Sequence, residues 1–215
     1  ILIFLSDSSV KQLGLAFAQY IGDYGDTLPP VRYLDAKISW DDLFGMGGYD
    51  GTSPMSLAEA MEFKRPDGKL NKVYRCPSDS GQNWIYARSY TVNNGATSGG
   101  DHVGCFERGD ATPGERPVFY KTNKVAPDTF IMGEMYSHEP ESYNYQGNVS
   151  DCSAIRFPKA QLLTLPPFFS YHSSTVNWLH LDGRVANYKW SSTFGKGGSP
   201  DSAMGYFCMS LADRQ

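Results

Sequence analysis

Asp182-Gly183 stands between two runs rich in β-branched and aromatic residues, Thr175 to Leu181 and Arg184 to Trp190. This constrains the fold more than any other feature of the chain. A two-residue Asp-Gly loop of type I′ needs φ > 0 at both central residues, and Asp-Gly supplies it at little cost. The pattern predicts a β-hairpin with Leu181 facing Arg184, His180 facing Val185 and Trp178 facing Asn187. A hairpin is antiparallel, so at least part of the fold is an antiparallel sheet.

A second strong pattern lies near the start. Val10, Leu13, Phe17, Tyr20 or Ile21, and Tyr24 recur at steps of three and four, which places one apolar stripe along a helix. Ser9 and Gln12 have capping-box spacing, Gly25 suits the position after the last turn, and Pro29-Pro30 forbids continuation. The predicted helix covers 10–25, and residues 1–9 are expected to be the stub of a longer segment or an expression remnant, with a short buried strand over Ile1 to Leu5 as the alternative. Ile1 to Leu5 is far short of the roughly 20 apolar residues that cross a bilayer.

Weaker elements follow. Ser39 caps a helical turn over 39–44 with Asp41 and Asp42 in its first turn, and Ser53-Pro54 opens a short helix to about Lys64. Val73-Tyr74 ends a strand before a turn at Pro77. Ser89 to Asn93 and Thr129 to Met132 are strands, and Tyr206 to Met209 is a short terminal one. Segments 95–117 and 136–154 are long polar loops. The 22 glycines and 13 prolines agree with a loop-rich chain. No repeat or linker divides it, so residues 26–215 are read as sheet and loops of the same single domain, 1–215, in an α+β fold with an amphipathic helix packed on an antiparallel sheet.

Charge excludes some functions. The net charge is −4 and the basic residues form no cluster beyond Lys64-Arg65, which argues against nucleic acid as a partner. Cys76, Cys105, Cys152 and Cys208 form no Cys-x-x-Cys pair, so a zinc ribbon is not expected. Two disulfides in an oxidising compartment are, with three pairings open.

Candidate chemistry is sparse. His172, His180 and Asp182 are a conceivable ligand set. On an unbroken strand the two histidines would share a face about 26 Å apart, so Asp182 is read as a turn residue and His172 as a hydrogen-bonded loop residue. Asp79, Asp128 and Glu134 are candidates for a calcium site without the spacing of a calcium loop; no cofactor is otherwise expected. There is no nucleophile elbow and no His-Glu-x-x-His, so no catalytic residue and no enzyme activity are expected. Trp84, Tyr136, Tyr143, Tyr145 and Trp190 would suit stacking on sugar rings, and they motivate an alternative reading as a secreted carbohydrate- or polymer-binding module.

Five stretches, in order, resemble one family. Val10-Lys-Gln-Leu-Gly-Leu-Ala-Phe17 with Tyr24-Gly25 and Leu28-Pro-Pro30, Cys76-Pro-Ser-Asp79, Ser89-Tyr90-x-x-Asn93, Ala126-Pro-Asp to Glu134, and His172 with Asp182-Gly183 after nine intervening residues are similar to motifs of the bacterial prepilin-type, processing-associated H-x9-DG proteins. The resemblance implies a pilin-like subunit of a type II secretion or type IV pilus-like assembly in the cell envelope. The soluble part would lie on the periplasmic or extracellular side, with other pilin-like subunits or secretion machinery as partners and a polysaccharide or secreted cargo as a further contact. The family's Gly-Phe-Thr-x-x-Glu signature and its following apolar run are not among these residues. The expectation is a soluble part whose N-terminal helix, the anchor in the inner membrane, is missing.

Overall fold

The computed structural model describes residues 2–30, 32–33, 38–61, 72–78, 89–93, 121–134, 154–155, 172, 175–189 and 192. Among these are three helices: α1 (Leu2–Asp23), α2 (Trp40–Gly47) and α3 (Leu57–Met61). Strands β1 (Arg32–Tyr33) and β2 (Ile38–Ser39) form a small antiparallel pair. The main sheet has five strands in the order β5 (Ala154–Ile155), β3 (Tyr90–Asn93), β4 (Phe130–Glu134), β6 (Thr175–His180) and β7 (Val185–Lys189). All neighbours are antiparallel except β3 and β5, which are parallel. The fold is mixed α+β.

The stripe on α1 is buried at Val10, Leu13, Phe17 and Tyr20, joined by Ala16, but Tyr24, expected to continue it, lies just past the helix end at Asp23 and is 54% exposed. Each large apolar side chain removed from water in this way contributes about 1.5–3 kcal/mol. The stripe packs in one core with Val92, Ile131, Met132 and Leu179 of the sheet and with Trp40, Phe44 and Tyr74 beside it. Gly14 lets the helix come close to β6, since a Cβ there would stand 3.0 Å from Leu179 Cδ1.

The helix starts earlier than predicted. Residues 2–9, expected as a stub, are its first two turns, and Ser9 lies inside it rather than capping it. Nothing from Leu2 to Ser9 breaks a helix, so the capping-box spacing had no start to mark. At the other end Gly25 takes φ +61° as expected, Asp26 takes φ +62°, and the Asp26 amide donates to the Ile21 carbonyl at 2.8 Å.

Ser39 does cap α2: its amide donates to Asp42 Oδ2 at 2.9 Å. The cap of α3 is Ser56, not Ser53, because Glu59 reaches back to the Ser56 amide at 2.7 Å. Val73 and Tyr74 belong to a 3₁₀ turn, Lys72–Tyr74, and not to a strand end. The expected strand at 206–209, nearly all of the 95–117 and 136–154 loops, and the aromatics Trp84, Tyr136, Tyr143, Tyr145 and Trp190 lie outside the described residues.

The hairpin forms, but its register differs by one residue. Trp178 faces Ala186 and Asn177 faces Asn187, so the loop holds three residues, 181–183. The Gly183 amide donates to the His180 carbonyl at 3.0 Å, and φ is positive at Gly183 (+84°) but not at Asp182. This is the three-residue loop in which an ordinary turn is followed by one left-handed residue. The Asp182 side chain closes the loop, its Oδ1 accepting the Arg184 amide at 3.0 Å. The loop is also fixed from outside, because the Leu181 and Asp182 amides donate to the carbonyls of Thr129 and Pro127 at 2.9 and 2.8 Å.

One irregularity sorts the two faces of the sheet. Phe130 pairs with His180, but Met132 pairs with Leu179 and Gly133 with Trp178, so Ile131 is an extra residue in β4. Beyond it the alternation of side chains is inverted. Phe130, Trp178, His180 and Tyr188 gather on the face away from α1, with Phe130 and Trp178 stacked at 4.5 Å. Met132, Leu179 and Val92 face α1.

Candidate functional site

Three chemically active side chains from distant parts of the chain meet on the α1 side of the sheet. Cys76 follows the 3₁₀ turn, Glu134 ends β4, and His172 sits just before β6. All three are buried, and one donor atom from each lies within 4.8 Å of the others. His172 Nε2 is 3.0 Å from Glu134 Oε1 and 3.6 Å from Cys76 Sγ.

Each side chain is held by its neighbours. The Asn177 amide donates to Glu134 Oε2 at 2.8 Å, and Asn177 Nδ2 donates to Oε1 at 3.0 Å. Asn177 is itself fixed across the hairpin, where its Oδ1 accepts Asn187 Nδ2 at 2.8 Å. The His172 carbonyl accepts the Thr175 amide at 3.2 Å and the Thr175 hydroxyl at 2.5 Å, which turns the chain sharply before β6. Tyr90 is the register partner of Glu134 across β3 and β4 and is buried beside it.

The electrostatics reflect this crowding. Burial alone would lower the His172 pKa, but hydrogen bonds to Cys76 and Glu134 and their charges outweigh it and raise the value to about 9. Burial, then the charges of Cys76 and Glu134, hold the Tyr90 phenol far above its ordinary range, so it stays protonated.

The arrangement does not match a nucleophilic relay. In a relay the imidazole takes the thiol proton at one ring nitrogen and is steered by a carboxylate on the other. Here the thiol and the carboxylate approach the same nitrogen, Nε2. What converges is a thiol sulfur, an imidazole nitrogen and a carboxylate oxygen around one small volume, a donor set of the kind that holds a metal ion.

The structure redistributes the residues singled out in the sequence. Cys76, Tyr90, Glu134 and His172 come together, and Ser89 is buried next to Tyr90, its amide donating to the Tyr74 carbonyl at 2.9 Å. Pro77 lies exposed in the turn after Cys76, and Asn93 ends β3. Asp182 and Gly183 occupy the hairpin loop at the far end of β6 from His172. The set His172, His180 and Asp182 is therefore split: His180 lies on the opposite face of the sheet, against Phe130 and Tyr188. Asp128 and Glu134 cannot share a calcium ion either, because Asp128 lies in the turn before β4 and Glu134 ends that strand. Asp79 lies outside the described residues, as do Cys105, Cys152 and Cys208.

Cys76, expected in a disulfide, is a free thiol whose sulfur lies 3.6 Å from His172 Nε2. Asn177 is the site residue that the sequence alone does not reveal. Its only signal is a strongly polar side chain in a strand whose neighbours Val176, Trp178 and Leu179 are apolar.

Comparison with family models, with curated proteins and with solved structures gives no match for this chain.

Proposed function

We propose that the chain is a pilin-like structural subunit of an envelope assembly of the type II secretion or type IV pilus kind, acting by protein–protein contacts and not by catalysis. The observation that carries this reading is the division of α1 into two faces. One face is sealed against the sheet by Val10, Leu13, Phe17 and Tyr20. The other presents Lys11, Gln12, Leu15, Ala18 and Gln19 to solvent, with Leu15 61% exposed. A helix fixed along a sheet with an apolar residue on its outer face suits side-by-side packing with the same helix of a neighbouring subunit. Among the described residues no helix is long and apolar enough to cross a membrane.

The test is cross-linking in cells that produce the full gene product. A Leu15→Cys variant treated with a short bifunctional maleimide is expected to give a ladder of multimers in the membrane fraction. A cysteine placed at Thr52, on the exposed loop after α2, serves as the comparison and is expected to give much less. A product that stays monomeric and fractionates with soluble protein would overturn the proposal.

A further inference from the structure

We propose that Cys76, Glu134 and His172 form a binding site for a thiophilic divalent cation, Zn2+ being the expected ion. Three features of the cluster carry this beyond a buried ion pair.

The first is geometry. With ordinary zinc distances and tetrahedral angles, the sulfur and nitrogen donors lie about 3.5 Å apart and the nitrogen and oxygen donors about 3.3 Å apart. The separations here are 3.6 Å between Cys76 Sγ and His172 Nε2 and 3.0 Å between Nε2 and Glu134 Oε1. These two pairs need shifts of only a few tenths of an ångström, and the third, between the Cys76 sulfur and the Glu134 carboxylate, lies within 4.8 Å and closes by side-chain rotation onto the ion.

The second is charge. A thiolate, a carboxylate and a neutral imidazole carry two negative charges, which a divalent cation balances in a place where an unpaired charge is costly. The thiolate and imidazole also set the choice of ion, because soft donors favour Zn2+ over the oxygen-seeking Ca2+ and Mg2+.

The third is support. Metal-binding carboxylates are steadied by hydrogen bonds from behind. The Asn177 amide takes Glu134 Oε2 and its Nδ2 takes Oε1, and Asn177 is braced in turn by Asn187. The Thr175 contacts hold the His172 backbone in the same way. The ion would join the segment around Cys76 to β4 and to the approach to β6, three places that the main chain alone connects only through long detours. Among the described residues three donors converge, which leaves one tetrahedral position for a further ligand.

The experiment uses the full chain, stripped with chelator and titrated with Co2+ as an optical stand-in for Zn2+. The expected result is one ion per chain by native mass spectrometry, with a thiolate-to-cobalt charge-transfer band that added Zn2+ bleaches. Because the chain has four cysteines, two variants assign the band. A variant with Cys105, Cys152 and Cys208 all changed to Ser is expected to keep it, and Cys76→Ser to lose it. Asn177→Ala is expected to weaken Zn2+ binding about 10–100-fold. A band that disappears in the triple variant and persists in Cys76→Ser overturns the proposal, and so does a folded, stripped chain that takes up neither ion. Should Cys76→Ser fail to fold, the triple variant decides alone: a retained one-to-one band supports the site and its absence refutes it.

Discussion

The six-membered ring of Trp178 covers Gly133, so that a Cβ on Gly133 would stand 2.4 Å from both Cε3 and Cζ3 of the indole. The two residues are direct register partners on β4 and β6. The indole stacks on Phe130 at the same time, so it has little room to move aside. Gly133→Ala should therefore destabilise the protein by about 1–3 kcal/mol, the usual cost of overpacking. The urea midpoint is the measurement. Combining it with Trp178→Leu should cost less than the sum of the two single changes, and strict additivity would show that the ring is not the obstacle.

Glu134 accepts three hydrogen bonds in a buried position: from the Asn177 amide, from Asn177 Nδ2 and from His172. Removing one partner of a buried charged pair is expensive because the other is left uncompensated. In chelator-treated protein, Glu134→Gln should lower stability by about 3 kcal/mol. Asn187→Ala, which removes only the outer brace on Asn177, should lower it by about 1 kcal/mol. Denaturant unfolding of both variants checks the order, and equal losses would argue against a central role for the carboxylate.

Gly183 has φ +84° and no heavy atom within 4 Å of where a Cβ would sit. Any effect of a side chain there is conformational and not steric crowding. Gly183→Ala should cost about 1–2 kcal/mol, the ordinary penalty of a left-handed alanine, and Gly183→Asn less. Thermal melts of the pair provide the check: equal melting temperatures would mean that the loop tolerates another geometry.

His180 links acidity to stability. Its Nδ1–H donates to the Asp128 carbonyl at 2.6 Å, and Nε2 accepts the Tyr188 hydroxyl at 3.3 Å. Burial first, with the nearby Arg184 charge, holds the imidazole below its ordinary pKa of 6.5, against the opposing pull of the Asp128 carbonyl and of the Asp182 and Asp128 charges. The folded state therefore resists a proton that the unfolded chain accepts. The stabilisation is complete above pH 6.5 and is lost as the pH falls from there through the lower folded value. The melting temperature of the wild type should drop between pH 7 and 5, and His180→Gln, although less stable at neutral pH, should show a shallower drop over that window. Parallel curves would remove His180 as the source.

What is legible in the sequence is local. The α1 stripe is a pattern of steps along one chain segment, and the burial of Val10, Leu13, Phe17 and Tyr20 follows from it, while Tyr24 falls beyond the helix end and is exposed. The Asp-Gly hairpin is equally local, yet its register is not. Asp-Gly permits two left-handed residues but does not demand them, and the bonds that the Leu181 and Asp182 amides donate to the Thr129 and Pro127 carbonyls hold the loop that uses only one. The start of α1 is obscured because Ser9 and Gln12 have the chemistry of a cap without a break before them. The site lies beyond such reading. Cys76 and His172 are 96 positions apart and Glu134 and His172 are 38 apart, and no rule of spacing reports contacts made by a folded sheet. The same is true of Asn177, whose importance depends on which carboxylate ends up opposite it.

The unpaired Ile131 has a consequence for the layout of the whole molecule. Were β4 strictly regular, Glu134 would share a side with Phe130, and the carboxylate would point into the aromatic layer while Cys76 and His172 waited on the other side. One additional residue rotates the end of the strand by half a turn and delivers the acid to its companions. Shortening β4 by that single residue should leave the strand order intact and dismantle the cluster, so parity along one strand separates a sheet with a chemical centre from one without.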